Sequence, residues 1–330
     1  MNNKIVFVLL GIVVFFLGVT YGKKIMSGKK VSNKQKITVL LDWFPNTNHT
    51  GLYVAKEKGY FDKENLDVSL LQPAEGENTQ AVATGKADFA VSSQESVTLA
   101  RAQKIPLVSI AAVIQHNTSA FASLEEAGIK TAKDFEEKRY GGWGSPIEET
   151  VIKAVMTDAG GNYGLVKNIT IGETDFFKTI GKDSDFQWIF YGWDGIEAKR
   201  RGIKLNTIML KDLNPVLDYY TPVIVTNEDH AKNKKELVRK FMKAVKEGYE
   251  FSIKNPNDAA SILIKSAPEI NADLVRQSQP WLSKEYQADA KNWGIQKPEV
   301  WKRYARWLYD HALMKDIIDE NAAFTNEFIK

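Results

Sequence analysis

Strand-like and helix-like segments alternate along the first two thirds of this 330-residue chain. Short apolar runs rich in β-branched residues are separated by helical patterns, and Gly59 and Gly85 stand where helices should end. This alternation predicts an α/β fold with parallel sheets and helices on both faces, and the length favours two lobes. The predicted strands cover residues 37–42, 66–71, 89–91, 107–114, 119–123, 140–143, 169–171, 187–191, 207–210 and 221–226.

From residue 228 onward the pattern is almost wholly helical. The predicted helices cover residues 234–254, 256–265, 272–281, 299–313 and 322–329. In the first of these, Leu237, Phe241, Val245 and Tyr249 form one apolar stripe with helical spacing, which is more typical of core packing than of a ligand surface.

We therefore expect residues 37–122 and 221–330 to form a discontinuous first lobe, and residues 123–220 to form a second. The chain would cross between the lobes near Ala122 and again near Thr221. A cleft between two such lobes is the expected ligand site.

The amino terminus has the pattern of a targeting segment. Residues 5–19 are apolar or glycine, Lys4 precedes them, and four lysines follow before residue 31. This predicts a secretory signal or a single membrane anchor within residues 1–30, followed by a polar linker over residues 31–36. A poor cleavage site favours an uncleaved anchor, whereas the lysines after the span favour a cleaved signal. Both alternatives place residues 31–330 outside the cytoplasm.

Composition excludes several classes of function. There is no cysteine, which rules out disulfides, thiolate catalysis, cysteine metal sites and a lipid-modified cysteine. The net charge of +3 comes from the amino terminus, because the residues after 30 hold 39 basic and 41 acidic side chains. That balance does not indicate nucleic-acid binding. HExxH, GxSxG and phosphate-loop motifs are also absent, so we expect no catalytic residue, metal or cofactor.

Polar and aromatic residues cluster where predicted strands end. The sequence LLDWFPNTNHTGLYVA leaves a strand near Asp42 and enters a helix near Thr50, at the edge where open α/β sheets bind ligands. Trp43 is either a core plug or a face of the cleft, and Asp42 either caps the turn or accepts a hydrogen bond from a ligand. We expect ligand contacts from Asp42, Trp43, Asn46 and His49.

Three further strand ends supply candidate ligand contacts. Ser92 and Gln94 follow one strand, and Trp143, Gly144 and Ser145 follow another; both sets also suit ordinary helix starts. In WIFYGWDGIEAK the candidates are Tyr191, Trp193 and Asp194, with Tyr191 and Asp194 favoured because neighbouring aromatics cannot all face one way. Tyr220 lies at the second crossing, as a ligand contact or a packed hinge.

The chemistry of these residues suits a flat, amino-bearing ring. Offset stacking on tryptophan or tyrosine adds about 0.5–1.5 kcal/mol beyond area burial. Carboxylates at the ring edge would accept charge-assisted hydrogen bonds from amino groups.

Residues 36–330 resemble the NMT1/THI5-like proteins, most specifically in LLDWFPNTNHTGLYVA, KGYF, GKADFAVSSQES, FYGWDGIEAK and DYYTPVIVTN. The closest similarity is to the branch that binds the pyrimidine precursors of thiamine. The resemblance implies a two-lobed, type II periplasmic-binding-protein fold with the ligand in the interlobe cleft. It also implies an extracytoplasmic, monomeric solute-binding protein whose partners are an ABC permease and its ATPase.

By the same resemblance, an aminopyrimidine such as formylaminopyrimidine or hydroxymethylpyrimidine stacks on Trp43 and contacts Tyr191 and Asp194. Relatives often carry glutamate in place of Asp194. The family also contains a pyrimidine synthase that consumes its own pyridoxal phosphate and a histidine, with iron. That branch has a lysine and a histidine in the segment where Ser92 and Ser96 stand here, and a cysteine-rich motif near DYYTPV, so we expect no enzyme.

Other flat or small ligands remain alternatives, notably riboflavin or an alkanesulfonate. A sulfonate site should rely on helix amino termini and arginine, and the motifs above lack arginine. A membrane-tethered sensor domain is a further alternative.

Overall fold

The computed structural model describes residues 34–72, 78–172 and 174–329. The described residues from Lys36 onward belong to one compact unit. The predicted signal or anchor over residues 5–19 lies outside the described residues and stays a prediction. Within the described part, no helix combines the length and apolarity that membrane crossing requires.

Two five-stranded sheets organise the described residues. Their order is β2-β1-β3-β10-β4 in the first sheet and β7-β6-β8-β5-β9 in the second. The strands are β1 Gln35–Leu40, β2 Leu66–Leu71, β3 Phe89–Ser92, β4 Leu107–Ala112, β5 Ser119–Leu124, β6 Arg139–Gly142, β7 Lys167–Thr170, β8 Phe186–Phe190, β9 Leu205–Met209 and β10 Val223–Asn227. Since β1 starts at Gln35, it takes in the end of the predicted linker.

Helices flank these sheets. They are α1 Thr50–Glu57, α2 Tyr60–Lys63, α3 Asn78–Ala83, α4 Gln94–Ala102, α5 Pro146–Asp158, α6 Phe176–Thr179, α7 Ile196–Arg201, α8 Leu210–Leu213, α9 Glu228–Asn233, α10 Lys235–Lys254, α11 Pro256–Ser266, α12 Ala272–Glu285, α13 Pro298–Asp310 and α14 Glu320–Ala323. The predicted helix over residues 322–329 is wrong: α14 ends at Ala323, and Phe324 forms a β-bridge with Ser109.

Both sheets are mixed, so the prediction of parallel sheets is only partly right. β10 runs antiparallel to β3 and β4, and β5 runs antiparallel to β8 and β9. β5 and β10 are each the first strand after the chain passes from one sheet to the other. Each runs in the direction opposite to that of its neighbours in the new sheet. The first passage lies between β4 and β5, because all of β5 belongs to the second sheet. The predicted crossing near Ala122 therefore falls inside β5 and is wrong, whereas Thr221 lies between β9 and β10.

Each sheet has its own aromatic core. The predicted stripe of α10 is buried against the first sheet, where Phe241 stacks on Phe89 of β3 with 3.8 Å between ring centroids. This confirms its core role. In the second sheet, Phe135 stacks on Phe186 of β8 at 4.1 Å.

Helix α13 packs against both cores. Trp301 lies in a cluster of the first sheet and stacks on Phe324, with 5.4 Å between centroids. Tyr304, three residues later and on the same face of the helix, stacks on Tyr219 in the cluster of the second sheet, at 4.3 Å. The last long helix therefore connects the two cores.

Close packing of α1 on α10 gives a test of the first core. A Cβ atom on Gly248 would lie 2.0 Å from the carbonyl oxygen of Gly51, a backbone atom that cannot move without shifting a helix. We expect Gly248→Ala to lower the free energy of unfolding by about 1–3 kcal/mol, because overpacking outweighs the better helix propensity of alanine. Denaturant unfolding measures this change. Lys254→Ala, at an exposed position of α10, is the control, and equal stability of the two variants would contradict the prediction.

Candidate ligand site between the two sheets

The loop after β1 is held by its own polar side chains. Asn46 caps a 3₁₀ turn over Thr47–His49, and α1 begins at Thr50 as predicted. The Nδ1 atom of His49 accepts the backbone N–H of Asn46 at 3.3 Å, so Nε2 carries the hydrogen that it donates to Asp42 Oδ1 at 2.6 Å.

His49 is fully buried and Asn46 is nearly so. The amide of Asn46 is also occupied, because its oxygen accepts the N–H of Asn48 and its nitrogen donates to the carbonyl of Phe44. The prediction that His49 and Asn46 contact a ligand is therefore corrected: they shape the loop. Asp42 keeps 29% of its side chain exposed and is oriented by His49.

Trp43 is exposed rather than a core plug. Its relative accessibility is 36%, and its ring meets Phe44 edge-on, with centroids 5.6 Å apart and the planes at 82°. Phe44 is itself exposed, and sequence reasoning missed it although it adjoins Trp43. The loop thus presents two aromatic side chains and one carboxylate.

The turn after β8 is π-helical over Tyr191–Gly195. Tyr191 packs on Trp281 of α12, with 5.3 Å between ring centroids. Gly195 allows this packing, since a Cβ atom there would lie 2.5 Å from the Tyr191 ring. Trp193, the third candidate of this segment, packs against the cluster of Tyr53 and its apolar neighbours on α11 and α12, and so serves packing.

Helix α12 joins the two loops. The hydroxyl of Ser278 donates to the carbonyl of Gly192 in the turn after β8. It accepts the hydroxyl hydrogen of Thr47 in the loop after β1, at 2.6 Å. Tyr286, the residue that caps the carboxyl end of this helix, donates to the carbonyl of Thr47. One helix thereby brings the loop of Asp42 and Trp43 to the turn of Tyr191 and Asp194.

Two predicted contacts lie in the core instead. The Oε1 atom of Gln94 accepts the backbone N–H of Tyr220 at 2.9 Å, and its amide nitrogen donates to the carbonyl of Val300. Tyr220 is only 1% exposed, and its hydroxyl accepts the N–H of Lys297 at 2.9 Å. Both side chains are committed to packing, which corrects their assignment as ligand contacts. Ser92 is buried at the end of β3, and Ser93 caps α4.

The strand end after β6 carries a feature that sequence reasoning missed. Trp143 is 40% exposed. Its ring meets the Trp188 ring edge-on, with 5.5 Å between the ring centroids. The backbone N–H groups of Trp143, Gly144 and Ser145 all donate to the buried carboxylate of Glu148, at 3.1, 2.8 and 2.8 Å. The signal was present as Ser145-x-x-Glu148, the pattern of a capping box.

The charges around the site are acidic. Burial raises the pKa of Asp194 to about 7, and the charged side chains that act on it, Asp175 and Glu197, raise it further. Burial also raises the pKa of Glu95 at the start of α4 to about 7, with a contribution from Glu148 of the other sheet. The main charged contributions to both shifts come from acidic side chains. Within the described residues, no group of three or more acidic or histidine side chains could hold a metal ion.

The NMT1/THI5-like family model matches residues 46–259, which is more than half of the chain. The chain belongs to this family. It is 29% identical to a formylaminopyrimidine-binding protein of Halalkalibacterium halodurans, over 88% of this chain and 90% of that protein. It is 25% identical to the riboflavin-binding protein RibY of Chloroflexus aurantiacus, over 89% of this chain and 86% of that protein. A 4-amino-5-hydroxymethyl-2-methylpyrimidine phosphate synthase of Legionella pneumophila is 23% identical, over 90% and 93%.

Solved structures confirm the fold. The alkanesulfonate-binding protein SsuA of Xanthomonas axonopodis pv. citri superposes with a TM-score of 0.68, covering 89% of this chain and 99% of that one at 12% identity. The α/β, two-lobed periplasmic-binding-protein fold predicted from the sequence is therefore correct.

The buried carboxyl of Asp194 predicts a pH-dependent stability of the ligand-free protein. Its pKa is about 7 in the folded chain and about 3.9 in the unfolded chain. Between about pH 3.9 and pH 7 the folded state therefore holds more of this proton than the unfolded state does. The contribution of Asp194 to the free energy of unfolding is therefore largest in acid and falls as pH rises toward 7.

Asp194→Asn should remove this dependence. We expect the melting temperature of wild type to fall relative to that of the variant between pH 5 and pH 8, in differential scanning calorimetry. Asp212→Asn, at an exposed position of α8, is the matched control and should follow wild type. Parallel curves for wild type and Asp194→Asn would contradict the prediction.

Proposed function

We propose that this protein is an extracytoplasmic solute-binding protein of an ABC importer and that it binds a thiamine-precursor pyrimidine, either formylaminopyrimidine or hydroxymethylpyrimidine. The observation that carries the proposal is Asp194, a largely desolvated carboxyl that accepts one long hydrogen bond, from the Phe190 N–H at 3.4 Å, and has the acidic side chains of Asp175 and Glu197 nearby. A buried carboxylate without a cation is costly unless hydrogen-bond donors reach it. An amino group on a flat ring would supply them.

The aromatic side chains support the same ligand class. Trp43 comes from the first sheet, Trp143 and Tyr191 come from the second, and Ser278 brings the loops of Trp43 and Tyr191 together. A flat heterocycle between such faces gains stacking energy that a small aliphatic ligand lacks. The named function of the Halalkalibacterium halodurans relative agrees with this class.

Riboflavin is the second candidate. The Chloroflexus aurantiacus relative is named for that ligand, and the exposed rings of Phe44 and Trp143 offer more aromatic surface than one pyrimidine needs. A synthase function has less support, because serines stand at positions 92 and 96 where that branch carries a lysine and a histidine, and the chain has no cysteine. We place the protein outside the membrane, held there by residues 1–30 or released by their cleavage.

Ligand class is tested by isothermal titration of the purified protein with formylaminopyrimidine, hydroxymethylpyrimidine, thiamine, riboflavin and taurine. We expect saturable binding of an aminopyrimidine and a ligand-dependent rise in melting temperature. Binding of taurine without binding of either pyrimidine would overturn the proposal. Binding of riboflavin alone would select the second candidate.

Stacking is tested with Trp43→Ala. We expect this variant to weaken aminopyrimidine binding by about 1–3 kcal/mol, or roughly 5- to 150-fold, because the ring loses both stacking and burial. The melting temperature without ligand should change little, since Trp43 is exposed. Tyr309→Ala removes another exposed aromatic side chain and is the control. A large loss of ligand-free stability with unchanged affinity would show that Trp43 serves the fold.

A further inference from the structure

Glu148 makes more contacts than a capping residue needs. In a capping box, the glutamate accepts one backbone N–H. Here its carboxylate accepts the N–H groups of three consecutive residues, Trp143 to Ser145, and the hydroxyl of Tyr140 at 2.6 Å. The side chain is buried.

The backbone around Glu148 has the form of an anion receptacle. Gly144 has φ +99°, and its left-handed conformation lets successive N–H groups converge. The group lies at the amino end of the 13-residue helix α5, where the helix dipole also favours negative charge. A Cβ atom on Gly142 would lie 2.5 Å from Glu148 Oε1, so glycine at this position leaves room for the carboxylate. We name the N–H groups of Trp143, Gly144 and Ser145 the β6 nest.

We propose that Glu148 is a specificity-determining residue, which fills the β6 nest with an internal anion and so excludes sulfonate, phosphate and carboxylate groups of ligands. An external anion could enter only by displacing Glu148 from four hydrogen bonds and leaving its charge buried without partners. This inference deepens the proposed function, because Trp143 both contributes to the β6 nest and offers an exposed ring.

An acidic side chain on an element of the first sheet adds to the exclusion of anionic ligands. Glu95 lies at the start of α4, on an element of the first sheet, and Glu148 acts on it electrostatically from the second. Tyr304 of α13 donates to Glu95 at 3.5 Å, and the charged side chain that acts on Glu95 is the acidic Glu148. Above pH 7, where the Glu95 carboxyl has lost its proton, an anionic ligand would be repelled by negative charge from both sheets, whereas a cationic amine would be attracted and a neutral one would not be repelled.

Removing the internal anion should open the β6 nest. In Glu148→Ala, three N–H groups and the Tyr140 hydroxyl lose their acceptor next to a small cavity. Formate has the carboxylate group that was removed, and it should restore the lost stability. We expect formate to raise the melting temperature of Glu148→Ala by about 2–4 °C or more over chloride at equal ionic strength, with no such difference for wild type.

Glu149→Ala is the matched control, because it removes the same charge from the next, exposed position of α5. It should behave as wild type in both salts. If Glu148→Ala does not fold in chloride, circular dichroism after refolding in formate or in chloride gives the same test: folding is expected in formate alone. A variant that responds equally to the two salts would overturn the proposal.

Titration with methanesulfonate tests the specificity itself. We expect no binding to wild type or Glu149→Ala and saturable binding to Glu148→Ala. Binding to wild type would overturn the proposal, since it would show that Glu148 does not exclude anions. These experiments use no pyrimidine, so a failure of the proposed pyrimidine function leaves their outcome unaffected, and the reverse also holds.

Discussion

The hydroxyl of Ser278 is the contact on which the arrangement of the site depends. It is buried, it donates to the Gly192 carbonyl of one loop, and it accepts the Thr47 hydroxyl of another. Thr47, Gly192 and Ser278 are all buried, so these two linked hydrogen bonds satisfy polar groups away from water and strengthen each other. Trp43 and Asp194 lie in loops that follow strands of different sheets. Their relative position therefore depends on the hydrogen bonds of Ser278 as well as on the sheets themselves. A helix that contributes no predicted ligand contact thus joins the two loops that carry the candidate contacts.

The order of strands and helices could be predicted because it follows from local patterns. Thr50 begins α1 and the stripe of Tyr249 is buried, both as the periodicity indicates. Strand direction could not be predicted in the same way. Nothing in the sequences of β5, SAFASL, and β10, VIVTN, marks them as antiparallel; their direction follows from the passage of the chain between the sheets.

Candidate residues in the loops could be located from the sequence, but not the direction in which their side chains point. Trp43 is exposed as favoured, whereas Gln94 turns inward to meet Tyr220, a partner 126 residues away along the chain. Such a distant partner leaves no mark on the local sequence. Glu148 is the opposite case: its capping-box spacing was visible, but the number of N–H groups that it accepts depends on the left-handed conformation of Gly144.

The double packing of α13 has a consequence for how the affinity of this protein can change. Trp301 and Tyr304 sit one turn apart in different cores, so any change in the angle between the sheets must repack at least one of the two rings. If the two sheets change their angle when a ligand binds, substitutions along this helix alter the fraction of molecules in the binding-competent arrangement. The apparent dissociation constant varies inversely with that fraction. Affinity can therefore drift, or be selected, through residues that never touch the ligand.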